Sequence, residues 1–75
     1  MASAISTIKR FEFVGGGSDK FWEITTRGAE IIVRFGRNGA QGQTTTKTFP
    51  DAAAARAHAD KLIRQKTGKG YVAVA

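Results

Sequence analysis

Arg37 is the residue whose setting most clearly invites chemistry. It follows Phe35 and Gly36 and opens a stretch, Gly36-Arg37-Asn38-Gly39-Ala40-Gln41-Gly42-Gln43, with a glycine at every third position. Exposed backbone N–H groups, a guanidinium and the Gln43 amide around one concavity suit an anion, phosphate above all. Arg34 and Lys47 flank the stretch and add two cations. Phe35 at its rim offers a flat face for stacking on a base or sugar. Each residue also has a plainer use. Gly36, Gly39 and Gly42 serve a tight connection between strands, Asn38-Gly39 is a favourable turn pair, and Phe35 closes one end of a core. The stretch is not a nucleotide-hydrolase phosphate loop, because no Gly-Lys-Ser/Thr follows. Nor is it a dinucleotide fingerprint, which opens a helix after a strand.

Catalytic groups are sparse. There is one histidine, His58, and no cysteine. His58 falls in a helix beside an alanine stripe, which makes it a packing residue at the edge of a helix–sheet contact. No serine or cysteine motif supplies a nucleophile for it to activate. The acids Glu12, Asp19, Glu23, Glu30, Asp51 and Asp60 are scattered without the pairing of an acid–base couple. With one histidine and no thiolate, a transition-metal site has too few ligands. The expectation is therefore no enzyme, no cofactor, no metal and no small-molecule substrate.

The elements that must position the loop follow from alternation. Ile8 to Val14 places Phe11 and Phe13 on one face and Arg10 and Glu12 on the other. Lys20 to Thr26 places Trp22 and Ile24 on one face and Phe21 and Glu23 on the other. Glu30 to Phe35 is rich in β-branched residues, and Ile31, Val33 and Phe35 share a face. The second and third strands are separated only by Arg27-Gly28-Ala29, so they form an antiparallel hairpin. Thr44 to Phe49 is a fourth strand. Asp51 is an N-cap for a helix over Ala52 to Lys66, with Ala55, Ala59, Leu62 and Ile63 as its apolar stripe. Arg56, Asp60 and Arg64 are spaced to pair on its far side. Gly68 is placed as the left-handed residue after the helix, and Tyr71 to Val74 as a short edge strand. The expected fold is α+β: an antiparallel sheet of about four strands with one helix packed on one face. A chain of 75 residues fits a single domain, 1–75, with residues 1–7 frayed.

Charge is unevenly placed. The net +6 arises entirely after residue 26, with Arg27, Arg34, Arg37, Lys47, Arg56, Lys61, Arg64, Lys66 and Lys69 outnumbering the acids there. A basic excess attracts polyanions by steering and counterion release, and it also keeps a small domain soluble. No apolar run approaches the roughly 20 residues that span a bilayer, and the N-terminal stretch lacks the pattern of a secretory signal. The expectations are a cytoplasmic, nucleoid-accessible location and no membrane partner.

The run Val33-Arg34-Phe35-Gly36-Arg37-Asn38-Gly39-Ala40-Gln41-Gly42-Gln43 resembles the signature of the WGR domain family: Trp-Gly-Arg, a hydrophobic residue, Gly, two variable residues and Gly-Gln. Lys20-Phe21-Trp22-Glu23-Ile24, Lys47-Thr48-Phe49, Ala55 and Lys66-Thr67-Gly68-Lys69-Gly70-Tyr71 are similar to further family positions, in the same order. The resemblance runs from about Arg10 to Val72. Two positions depart from it: Phe35 stands at the name-giving Trp, keeping a stacking face without the indole donor, and Asn38 stands at the hydrophobic position. The resemblance implies an antiparallel sheet with one packed helix. It also implies a role like that of the same domain in eukaryotic poly(ADP-ribose) polymerases, which contacts broken DNA ends and relays that contact to neighbouring domains. Similar short proteins stand alone in bacteria. No polymerase segment is present in the 75 residues, so ADP-ribosyl transfer is not implied. Two functional classes follow. One is a nucleic-acid module, for DNA before RNA, using Phe35, Gly36, Arg37, Arg34, Gly39, Gln43 and Lys47. The other is an adaptor that docks a protein partner.

Overall fold

The computed structural model describes residues 6–74, which form five strands and one helix. The strands are β1 (Ser6–Gly15), β2 (Ser18–Arg27), β3 (Glu30–Arg37), β4 (Gln43–Thr48) and β5 (Val72–Val74), and the helix α1 (Ala52–Gly68) lies between β4 and β5. All pairings are antiparallel, and the sheet order is β4-β3-β2-β1-β5. The fold class is as expected, with two corrections. The sheet has five strands where about four were expected, the fifth being the short edge strand read at Tyr71 to Val74, which spans Val72–Val74 and pairs with Arg10–Glu12 of β1. Of the stretch expected to fray, Ser6 and Thr7 belong to β1; residues 1–5 lie outside the described residues.

Two-residue turns join β1 to β2 and β2 to β3, which fixes the register of three strands. The register puts Phe11, Trp22, Ile24 and Ile31 on one face, where Ala55 and Ala59 of α1 cover them. Ala55 has no exposed surface at all, because a methyl side chain lets the helix backbone approach the sheet closely. Val33, Phe49, Leu62, Ile63 and Tyr71 close the sides of this core. Phe11 and Trp22 meet as a tilted pair with ring centres 5.7 Å apart, a favoured aromatic geometry.

The helix begins as expected: the Asp51 carboxylate accepts from the Ala54 N–H at 2.8 Å, satisfying one of the orphan donors of the first turn. Its end differs from the expectation. Gly68 is the last helical residue, and Gly70 adopts the positive φ of +108°. The Gly70 and Tyr71 N–H groups donate back to the carbonyls of Thr67 and Lys66. A Cβ on Gly70 would come within 2.8 Å of the Phe13 ring, so this glycine also lets Phe13 and Tyr71 pack, their ring centres 5.5 Å apart. His58 is half-buried against Phe49, ring centres 5.0 Å apart, which is the packing role expected of it. Arg56, Asp60 and Arg64 are exposed and form no ion pair among the described residues.

Candidate nucleic-acid interface

The loop after β3 is shaped by its own backbone. Asn38 and Gly39 form a turn closed by the Ala40 N–H donating to the Arg37 carbonyl at 3.0 Å, with Gly39 at φ +90°, as a glycine in the third position of a type II turn requires. Gly36 and Gly42 then pass in close contact. A Cβ on Gly36 would fall 2.7 Å from the Gly42 Cα, and one on Gly42 would fall 2.3 Å from the Phe35 carbonyl oxygen. These two glycines therefore serve the chain's own close approach, while Gly39 faces open space. Gly42→Ala should destabilise the domain by at least about 2 kcal/mol, because it combines that clash with a non-glycine residue at φ +75°. A thermal melt should show a fall of roughly 10 °C; a change under about 3 °C would mean that the crossing is not as tight as described.

The sheet divides the expected site residues between two faces. On the helix-free face the Phe21 ring is buried, sealed by the guanidiniums of Arg10 at 4.5 Å and Arg34 at 4.7 Å from its centre. Both arginines donate to the Glu23 carboxylate, Arg10 at 2.6 Å and Arg34 at 3.1 Å. Arg34 also donates to the Gln41 carbonyl at 2.8 Å. The expectation placed Arg34 among the phosphate contacts; the structure engages it with its own chain, bracing Phe21. Hydrogen bonds from Arg34, and then from Arg10, hold the Glu23 carboxyl below the usual glutamate range against the opposing effect of burial. A carboxyl with a lowered folded pKa stabilises fully above its unfolded value, and that contribution disappears as pH falls through the folded value. Acidification below the ordinary glutamate range should therefore lower the melting temperature, and Glu23→Gln should flatten that part of the pH profile. An unchanged slope in the variant would show that other carboxyls carry the acid response.

On the helix-bearing face, register aligns Phe13, Lys20 and Arg37 in one row across β1, β2 and β3, and Trp22, Phe35 and Gln43 in the next. These rows run past the C-terminal end of α1. There a cleft of about 480 Å³ is lined by Lys20, Phe35, Gly36, Arg37, Lys66 and Tyr71, with Ser18 and Asp19 at one side. Phe35 is 39% exposed. Arg37 is exposed and has no ion-pair partner among the described residues. Asp19 places one carboxylate on the same cleft, where it accepts from the Asn38 amide at 2.7 Å, and the three cations Lys20, Arg37 and Lys66 outnumber it. The Lys66 ammonium lies 5.3 Å from the centre of the Tyr71 ring and 5.7 Å from that of Trp22. Burial, then Lys69 and Lys20, push its pKa below the usual lysine value.

The structure thus brings together Phe35, Gly36 and Arg37, with Gln43 next to Phe35 across the strand pair. It leaves Lys47 apart: Lys47 pairs with Ile31, four residues further along β4, roughly 13 Å away at ~3.3 Å per residue, and lies over Phe49. Lys20, Lys66 and Tyr71 were not selected from the sequence, although they belong to the two outer segments that carried the family resemblance. Their convergence depends on the β1–β2 register and on where α1 ends, neither of which is visible in local sequence. Among the described residues there is no group of three or more His, Asp or Glu placed to hold a metal ion, and no helix long and apolar enough to cross a membrane.

Fold and site together define an α+β module with a basic cleft rimmed by aromatic rings. The WGR domain model matches residues 7–75, and the chain belongs to that family. It is 38% identical over 65 residues to protein YehF of Escherichia coli (strain K12), an alignment covering 87% of this chain and 24% of that protein. It is 38% identical over 63 residues to the uncharacterized protein YfeS of the same strain, covering 84% of this chain and 26% of YfeS. A crystal structure of a Bacteroides fragilis protein superposes with a TM-score of 0.89 at 43% identity, over 92% of this chain and 20% of that one. The chain spans about a quarter of the length of these curated relatives. The WGR domain is known from proteins related to poly(ADP-ribose) polymerases and is associated with nucleic acid.

Proposed function

We propose that this domain is a non-catalytic nucleic-acid-binding module, for DNA in preference to RNA, and that the cleft beside the β3–β4 loop is its contact surface. One observation carries the reading. Lys20 and Arg37 are placed directly opposite each other across β2 and β3, with Lys66 closing on the same space and an exposed Phe35 at the rim. Like charges directly opposed in an antiparallel pair are destabilising. Gathering them around an open cleft suits an anion that neutralises them, and the depressed Lys66 pKa has the same remedy. Phosphates would meet Arg37, Lys20 and Lys66, the Gly39 backbone would face the ligand, and Phe35 would stack on a base or sugar.

If about three phosphates are neutralised, log K should fall against log salt concentration with a slope near −2.7, at about −0.9 per phosphate. Fluorescence anisotropy with nicked, blunt and single-stranded DNA at two salt concentrations measures this. Absence of binding at low salt removes the reading and leaves a protein-docking adaptor in its place. Retention on DNA resin, compared between wild type and Arg37→Ala, separates the two.

A further inference from the structure

The loop that follows Arg37, the last residue of β3, has no core of its own. Gly39, Ala40, Gln41 and Gly42 are all exposed. What ties the loop down comes from the opposite face of the sheet. Arg10 of β1 donates to the Asn38 side-chain oxygen at 2.9 Å, and the Asn38 amide donates to Asp19 at 2.7 Å. The Asn38 backbone N–H also donates to the Asp19 carbonyl at 3.0 Å. On the other limb, Arg34 of β3 holds the Gln41 carbonyl at 2.8 Å. Both arginines are anchored on the single carboxylate of Glu23, and Glu12 adds a second hold on Arg10 at 3.1 Å.

We propose that Glu23 and Asn38 are positioning residues: through Arg10 and Arg34 they clamp both limbs of the loop that follows Arg37, so that the loop bordering the cleft is held in one fixed arrangement beside Phe35 and Arg37. This inference rests on the nucleic-acid reading above. Neither Glu23 nor Asn38 lines the cleft, so their effect on a ligand is indirect. Without Glu23, Arg34 loses its carboxylate and Arg10 keeps only Glu12, so the anchor behind each arginine's hold on the loop is lost or weakened. A loop already ordered before binding avoids losing conformational freedom on contact, and the gain appears as affinity. The Asn38 position, where the chain departs from the hydrophobic residue of the family pattern, is the joint between Arg10 and Asp19.

The experiment compares wild type, Asn38→Ala and Glu23→Gln, each with Arg37 and with Arg37→Ala. Backbone ¹⁵N relaxation reads the order of residues 38–42, and anisotropy reads affinity for a short blunt DNA duplex. Asn38→Ala should leave the domain folded and lower the loop order parameters below about 0.6. It should weaken DNA binding roughly fivefold, and that loss should vanish when Arg37 is already alanine. A loop that stays ordered in Asn38→Ala overturns the clamp, as does an equal affinity loss with and without Arg37. If Glu23→Gln fails to fold, the Asn38→Ala pair decides alone. If wild type binds no DNA, the nucleic-acid reading falls, while the relaxation data still decide whether the clamp orders the loop.

Discussion

Trp22→Ala should be the most destabilising single substitution in the domain, costing about 3–5 kcal/mol. Trp22 is 3% exposed, packs on Phe11 and lies beneath α1 in a core of few residues. Truncating a buried tryptophan costs about 3–5 kcal/mol, from lost burial and from the cavity left behind. The whole stability of a 75-residue domain is about 4–11 kcal/mol at 0.05–0.15 kcal/mol per residue. One substitution therefore removes from about a quarter of the total to all of it. The helix offers no remedy, because Ala55 and Ala59 are too short to follow a receding partner. Far-UV circular dichroism under urea measures the loss without relying on the tryptophan signal. A midpoint within ~0.5 M of wild type, at m-values near 1–3 kcal/mol per M, would mean that the core is not centred on Trp22.

Replacing Lys20 and Arg37 together by alanine should do the reverse. Stability should rise by a few tenths of a kcal/mol, because two like charges face each other across β2 and β3. DNA affinity should fall by about a hundredfold at 0.1 M salt, taking about 1.4 kcal/mol for each phosphate contact. The salt slope should flatten by about 1.8, two phosphates at 0.9 each. The opposite signs distinguish a ligand surface from a structural one. Melting temperature, anisotropy and the salt series are all needed. A double variant that melts well below wild type would show these two side chains to be part of the scaffold, and unchanged affinity would move the site elsewhere.

The sequence by itself determined the scaffold. Alternation in 8–14, 20–26 and 30–35 fixed which residues face inward, since a period of two leaves no other choice when one face is covered. Asp51 fixed where the helix begins, because its carboxylate answers a donor three residues on. The loop signature fixed Phe35, Gly36 and Arg37 as one unit. Only the tertiary structure decided what surrounds that unit. Arg34 alternates onto the helix-free face and meets Glu23 and Phe21, partners 11 and 13 residues earlier. The same alternation sends Arg37 to the other face, where Lys20 arrives by strand register and Lys66 by the length of a helix. Local pattern fixes the direction in which a side chain points. Which distant groups share its space depends on strand order and on where the helix stops, and both are settled by packing across the whole sheet.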